Sequence, residues 1–307
     1  MIRKIMKNVE NNIIKIDDIE YFMNLKNIKE LTDLSHKIHR NKKSNINLET
    51  NIYYPAIYQI EDNCPTCGYR TSIARQKYTE EFITKNVAHK LSDIAQYDIS
   101  GINCYNKDIS GIRELLIILD FLKMYPLEIN VRVSNVEHLK KFVNYNINSI
   151  IYPTSLNQPN SFNKQIDENK YKYDQEVLEY IKQELNLKIT YEFLIGYGES
   201  HHDIYHKILE MRKNDIDMIE IKGFDPFLDS PEEYHPQYSK EYILKIISIL
   251  RIYFPNKTIK IQYASNGNNY ITDYIKCGIN TISGIYTPNM NSKLQNIEEI
   301  SEIIKIK

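Results

Sequence analysis

The sequence predicts a single (β/α)8 barrel of the TIM type behind an N-terminal helical extension. Two observations predict it. From Ile52 onward, short apolar, β-branched runs alternate strictly with helical stretches of about ten to fifteen residues. No linker or shift in composition divides that alternation, so one closed domain is expected over residues 51–307, with residues 1–50 as the extension. A chain of 307 residues with 42% hydrophobic content can fill such a core. A doubly wound open sheet is the alternative architecture.

The extension carries amphipathic helical spacing, with Ile19, Phe22, Met23 and Leu25, then Ile28, Leu31, Leu34 and Ile38, on inner faces. The expected strands are 54–60, 99–104, 128–133, 149–152, 188–195, 218–222, 258–263 and 281–284. The expected helices are 79–94, 109–124, 136–143, 175–185, 203–213, 240–254, 270–276 and 296–305. In such a barrel the loops after the strands gather on one rim, and chemistry belongs there. These loops are rich in Gly, Asn, Ser and Asp, which suits a small polar ligand.

The formal net charge of -1, from 39 basic and 40 acidic residues, leaves no electrostatic footprint for nucleic acid or an anionic membrane. No segment has the length of a membrane span or a secretory h-region, so a cytoplasmic location is expected. The four cysteines, Cys64, Cys67, Cys104 and Cys277, are spread too unevenly for a secretory disulfide framework. A reducing compartment, with thiols free for metal work, fits better.

Chemistry concentrates first at residues 57–70, an apolar run that ends in Cys64-Pro-Thr-Cys67-Gly. Two thiolates at this spacing can hold one metal ion or two corners of an iron–sulfur cluster. Half of a zinc site and a thioredoxin-like redox pair are the other readings of the pair. Elsewhere, His36 and His39 stand three apart on a helix, within a basic run that reads as solvated. His202, His206 and Glu210 share a helical spacing on what is expected to be a solvated outer face. Glu199 stands where a helix start favours an acid. Tyr69 and Tyr105 are placed to line the mouth, and Cys277 reads as core packing.

The order of three motifs carries more information than any one of them. A Cys-x-x-Cys-Gly-Tyr-Arg turn follows strand one, Ile195-Gly-Tyr-Gly-Glu-Ser200 follows strand five, and Gly223-Phe-Asp-Pro-Phe-Leu-Asp-Ser-Pro231 follows strand six. With Leu156-Asn-Gln-Pro159 and Lys276-Cys-Gly-Ile-Asn280, this series resembles the radical S-adenosylmethionine superfamily, in particular the branch of biotin synthase, the hydrogenase maturase HydE and methylornithine synthase. The resemblance covers roughly residues 50–290. It implies a [4Fe–4S] cluster held by cysteines, with S-adenosylmethionine on the remaining iron, cleaved by one electron to a 5′-deoxyadenosyl radical that takes a hydrogen atom from a small-molecule substrate. It implies Cys64 and Cys67 as cluster ligands, Ile195, Gly196, Gly198, Gly223, Phe224 and Pro226 around the nucleoside, and Asp108 toward the methionyl amino group. A one-electron donor is the partner implied.

The same resemblance exposes departures. The family motif is Cys-x3-Cys-x2-Cys, and the position of its first cysteine is occupied by Ile60. Candidate replacements are Cys104, expected on the rim after strand two, and the carboxylates Glu61 and Asp62, harder ligands that suit this iron less well. After strand two, where the branch has a glycine-rich acidic element, stands Cys104-Tyr-Asn-Lys-Asp108. In strand five, small residues give way to Tyr191 and Glu192, one of which should enter the barrel and shrink or recharge its cavity. A degenerate, non-catalytic barrel serving as a binding or partner subunit is therefore the alternative function.

Overall fold

A computed structural model describes residues 1–40, 45–54, 80–95, 97–106, 112–133, 136–152, 168–224, 234, 238–263, 270–285 and 295–305. Eight parallel strands close into a barrel in sequence order, so the open sheet is excluded. They are β1 (Asn47–Tyr54), β2 (Gly101–Asn106), β3 (Glu128–Arg132), β4 (Ser149–Tyr152), β5 (Lys188–Ile195), β6 (Met218–Gly223), β7 (Thr258–Gln262) and β8 (Thr281–Ser283). The barrel is closed by pairing of Asn47 and Leu48 with Thr281 and Ile282.

Three helices precede the barrel, α1 (Ile2–Glu10), α2 (Ile16–Met23) and α3 (Lys29–Arg40). Around it lie α4 (Glu80–Ile94), α5 (Ile112–Leu122), α6 (Val136–Leu139), α7 (Glu168–Gln183), α8 (His201–Lys213), α9 (Lys240–Tyr253), α10 (Ile271–Cys277) and α11 (Gln295–Lys305). The leading helices pack on the outside of the ring, α2 against α8 and α9, and α3 against α9 and α10. Ile19, Phe22, Met23 and Leu31 are buried in that contact, whereas Leu25, Ile28, Leu34 and Ile38 are half-buried at its edge.

The largest departures from expectation lie in two elements, and β2 is shifted by two residues, to Gly101–Asn106 from the expected 99–104. The first strand runs from Asn47 to Tyr54 rather than from Tyr54 to Ile60, so its first residues come from the stretch assigned to the extension. The reason is the lumen: β1 alternates Leu48, Thr50 and Ile52 toward the helices with Glu49 and Asn51 toward the barrel axis, and so lacks the continuous apolar run by which a buried parallel strand is read. The helix expected at 175–185 begins at Glu168, because its first turns are polar.

The lower lumen is a hydrogen-bonded polar belt. The Lys260 ammonium donates to Glu49 Oε1 at 2.7 Å, and Asn103 Nδ2 donates to Glu49 Oε2 and to Asn51 Oδ1, both at 3.0 Å. Asn130 donates to Asn103 Oδ1 at 2.9 Å, Ser149 to Asn130 Oδ1 at 2.7 Å, and Ser149 and Thr190 share a hydrogen bond of 3.0 Å. Each partner sits on a neighbouring or nearly neighbouring strand, so the belt ties β7, β1, β2, β3, β4 and β5 together across their inner faces. Outside the barrel, the strand residues facing the helices are mostly Ile, and the apolar layer there is continuous.

Removing one member of the buried ion pair strands the other charge. Lys260→Met should lose about 3–5 kcal/mol in urea denaturation, while Lys260→Met with Glu49→Leu should lose less than the single change.

Candidate active site

Above the belt, toward the carboxyl ends of the strands, a second layer carries most of the barrel's charge. Tyr105 on β2 donates to both oxygens of Glu220 on β6, at 3.0 and 2.9 Å. β2 and β6 lie on opposite sides of the barrel, so this bond crosses the lumen. Ser283 Oγ also donates to Glu220 Oε1 at 2.8 Å, and Lys222 Nζ lies 3.4 Å from Glu220 Oε2. The same ammonium donates to Glu192 Oε1 and sits 4.1 Å from the centre of the Tyr105 ring. Arg132 on β3 brings its Nε to both oxygens of Glu192, at 3.1 and 3.0 Å. Of the two strand-five residues, Glu192 therefore enters the lumen, while Tyr191 faces outward and donates to Glu210 Oε2 at 2.6 Å.

Burial alone would raise the Glu192 pKa, but Arg132 and Lys222 outweigh it and hold the carboxyl at about 2. Burial opposes the charge on Arg132, and the field of Glu192 overcomes it, so that guanidinium is held more firmly protonated than usual.

One rim turn is built around a carboxylate. Gly196 N–H and Tyr197 N–H donate to the two oxygens of Glu199, each at 2.8 Å, and the Tyr242 hydroxyl donates to Oε1. Gly196 and Gly198 have φ of +83° and +88°, in the region where L side chains are strained. A Cβ on Gly196 would also meet the Tyr238 ring at 1.9 Å, whereas one on Gly198 would meet nothing within 4 Å. Glu199 thus closes the turn rather than starting the helix. That role belongs to Ser200 and Asp203, which form a capping box at the N-terminus of α8.

The segment after β6 is joined to this turn. Ile195 pairs with Gly223 in register, Phe224 N–H donates to Ile195 O at 2.8 Å, and the Tyr197 and Phe224 rings meet edge to face at 4.2 Å. Ile195, Gly196, Gly198, Gly223 and Phe224 are therefore brought to one part of the rim.

Cys64, Cys67, Asp108 and Pro226 lie outside the described residues, as do Ile60, Glu61, Asp62 and Tyr69. Cys104 is described, and its surroundings do not suit a cluster ligand. Asn103 and Tyr105 on either side of it point into the lumen, so the pleat turns Cys104 toward the helices, where it lies 1% exposed in the apolar core. Burial pushes its thiol up to about 12, whereas iron needs the thiolate. Cys277 is a core thiol on α10, pushed by burial up to about 11. Among the described residues no group of three or more His, Cys, Asp or Glu could hold a metal ion.

The outer-face expectation for α8 also needs correction. His202 and His206 are exposed, but Glu210 is buried against Tyr191. His36 is exposed, with its Nδ1 3.1 Å from Lys276 O, and His39 is buried, so the two do not share a face. Arg132, Glu220 and Lys222 were not anticipated. Their signal was available: Glu220 and Lys222 stand two apart in an apolar strand, the spacing that sends both side chains to the same face.

No family model matches the chain. In sequence it is 24% identical to an uncharacterized protein of Methanocaldococcus jannaschii, over 98% of this chain and 85% of that one. It is also 24% identical to biotin synthase of Clostridium tetani, over 98% of both. The fold is shared with methylornithine synthase, at a TM-score of 0.77 and 17% identity over 98% of this chain and 95% of the other. It is shared too with HydG, a maturase of the [FeFe]-hydrogenase, at a TM-score of 0.74 and 16% identity over 96% and 73%. The architecture is the (β/α)8 barrel of these enzymes. With the biotin synthase match, the shared fold indicates the radical S-adenosylmethionine superfamily. Among the described residues no helix is long and apolar enough to cross a membrane.

Because the folded pKa of Glu192 lies below the ordinary carboxylate value, its ionised form contributes stability above about pH 4 that is lost as the pH falls toward 2. Glu192→Gln should be less stable than the parent chain by about 3 kcal/mol at neutral pH, because Arg132 loses its acid partner and Lys222 keeps only Glu220. Urea titrations at a series of pH values should show that difference narrowing between about pH 4 and pH 2.

Proposed function

We propose that this protein is a radical S-adenosylmethionine enzyme of the biotin synthase, HydE and methylornithine synthase branch, acting on a small polar substrate inside the barrel in cofactor or metabolite biosynthesis. The observation that carries the reading is the near full-length match to biotin synthase, on a chain whose rim motifs follow the branch in order. When bound, a cluster with S-adenosylmethionine would supply a 5′-deoxyadenosyl radical for hydrogen abstraction, and a one-electron donor would be needed.

In this reading Cys64 and Cys67 hold the cluster. The outward, protonated thiol of Cys104 leaves Glu61 or Asp62 as the third protein ligand. The Glu199-closed turn and the Gly223–Phe224 segment flank the nucleoside, with Pro226 beside them and Asp108 toward the methionyl amino group. The charged lumen layer below receives the substrate, and the Ile-rich layer between barrel and helices keeps water from reaching it laterally.

A second reading, a barrel that has lost cluster chemistry and binds a ligand or protein partner, is favoured by one observation, Ile60 at the first cysteine position. The two separate in a preparation made without oxygen and reconstituted with iron and sulfide. The enzyme reading predicts bound iron and 5′-deoxyadenosine formation with dithionite, abolished in Cys64→Ala or Cys67→Ala and retained in Cys104→Ala. Absence of both iron and cleavage would establish the non-catalytic reading, and loss of cleavage in Cys104→Ala would restore that thiol as a ligand.

A further inference from the structure

Three cations occupy the lumen among the described residues, and two of them are spent. Lys260 is committed to Glu49 at 2.7 Å. Lys222 is shared between Glu192 and Glu220 and lies over the Tyr105 ring. Arg132 differs. Its only hydrogen bonds run from Nε to the two Glu192 oxygens, and neither terminal nitrogen has a partner among the described residues. A guanidinium carries five N–H donors, four of them on those terminal nitrogens.

The other enclosed arginines show how this fold treats a structural guanidinium. Arg251, 1% exposed, directs Nη1 to the carbonyls of Phe254, Pro255 and Lys257 and Nη2 to Gly278 O and Asn280 Oδ1. Arg212 directs Nη1 to Asn12 Oδ1 and Nη2 to Tyr253 O. Arg132 has instead one edge fixed and, among the described residues, the other unspent, on a side chain 26% exposed in the charged layer at the mouth. On a part-exposed guanidinium those donors face water, and a ligand oxyanion would take its place with a charge-assisted pair of hydrogen bonds.

We propose that Arg132 anchors a carboxylate group of the substrate through its Nη1 and Nη2 edge, and that Glu192 is a positioning residue that holds the guanidinium in that orientation. The ligand is called a substrate on the strength of the enzyme reading above; the binding site itself does not depend on it. A planar carboxylate matches the two-nitrogen edge. The charges around Arg132 favour a monoanion over a phosphate. Glu192 and Glu220 face it along with Lys222 and the Tyr105 hydroxyl, so two carboxylates already balance two cations in this layer. One further negative charge engages the unspent donors, whereas a dianion would stand beside two buried acids.

The test uses the full chain and needs no iron, so its failure is distinct from failure of the enzyme reading. Phenylglyoxal labels accessible guanidinium groups through their terminal nitrogens, and peptide mass mapping locates the label. Arg132 is expected to be labelled and Arg251 to resist. Excess pentanoate should slow labelling of Arg132 several-fold without protecting the surface residue Arg3, while pentanamide and inorganic phosphate should leave both rates unchanged. Glu192→Gln should keep Arg132 reactive but lose most of the pentanoate protection. No labelling of Arg132, equal protection by pentanamide, protection by phosphate in place of pentanoate, or undiminished protection in Glu192→Gln would each overturn the proposal. In the parent chain, saturation transfer from protein to pentanoate provides a second readout, and its persistence in a folded Arg132→Lys variant would equally overturn it.

Discussion

The constraint on which the structure depends is charge balance inside a narrow parallel barrel. A lumen of this kind is ordinarily packed with branched aliphatic side chains. Here its described inner positions hold Glu49, Lys260, Arg132, Glu192, Glu220 and Lys222, together with Asn, Ser, Thr and Tyr. At low dielectric none of these charges could be kept alone: Lys260, Arg132 and Lys222 each meet a carboxylate on another strand, and Glu220, paired with Lys222 on its own strand, is held across the barrel by the Tyr105 and Ser283 hydroxyls. Pairing across strands fixes which residues face inward, and so fixes the register of the sheet. A slip by one residue would send Ile219, Ile221 and Ile261 into the lumen and bury unpaired acids against the helices.

That same solution divides the barrel into a closed end and a working end. The lower belt is saturated: its amides, hydroxyls and ion pair satisfy one another across six strands. The upper layer is nearly saturated, and among the described residues Arg132 retains unspent donors within it. Above it, the Glu199-closed turn and the Phe224 segment are locked together by a main-chain hydrogen bond and an aromatic contact. Rigidity of the frame with residual hydrogen-bonding capacity at one face is what a barrel needs to orient a small polar molecule against reactive chemistry on its rim.

Much of this was legible in the sequence, and what was not has a common cause. The alternation of strands and helices and the bounds of β4 and β5 follow from hydrophobic period, and the adjacency of the Ile195 and Gly223 turns was implied by the family resemblance. β1 was displaced because Glu49 and Asn51 interrupt its apolar pattern, and an interrupted strand is read from sequence as a loop. The orientation of Cys104 was missed because the turn after β2 was set at that residue, two positions before the strand ends. Either Tyr191 or Glu192 was expected to enter the cavity; which one does was settled by Arg132 and Lys222, 60 and 30 residues from Glu192, which only closure of the barrel brings to it. Ile60 remains the residue whose chemistry is plain in the sequence, since an aliphatic side chain offers iron no ligand.

The central claim, that this barrel binds S-adenosylmethionine on an iron–sulfur cluster despite Ile60, is tested most directly by electron paramagnetic resonance of the reduced, reconstituted protein before and after S-adenosylmethionine is added. The account predicts the signal of a one-electron-reduced [4Fe–4S] cluster whose line shape changes when the amino and carboxylate groups occupy its open iron. A protein with no such signal, or one whose signal is indifferent to S-adenosylmethionine, would contradict it.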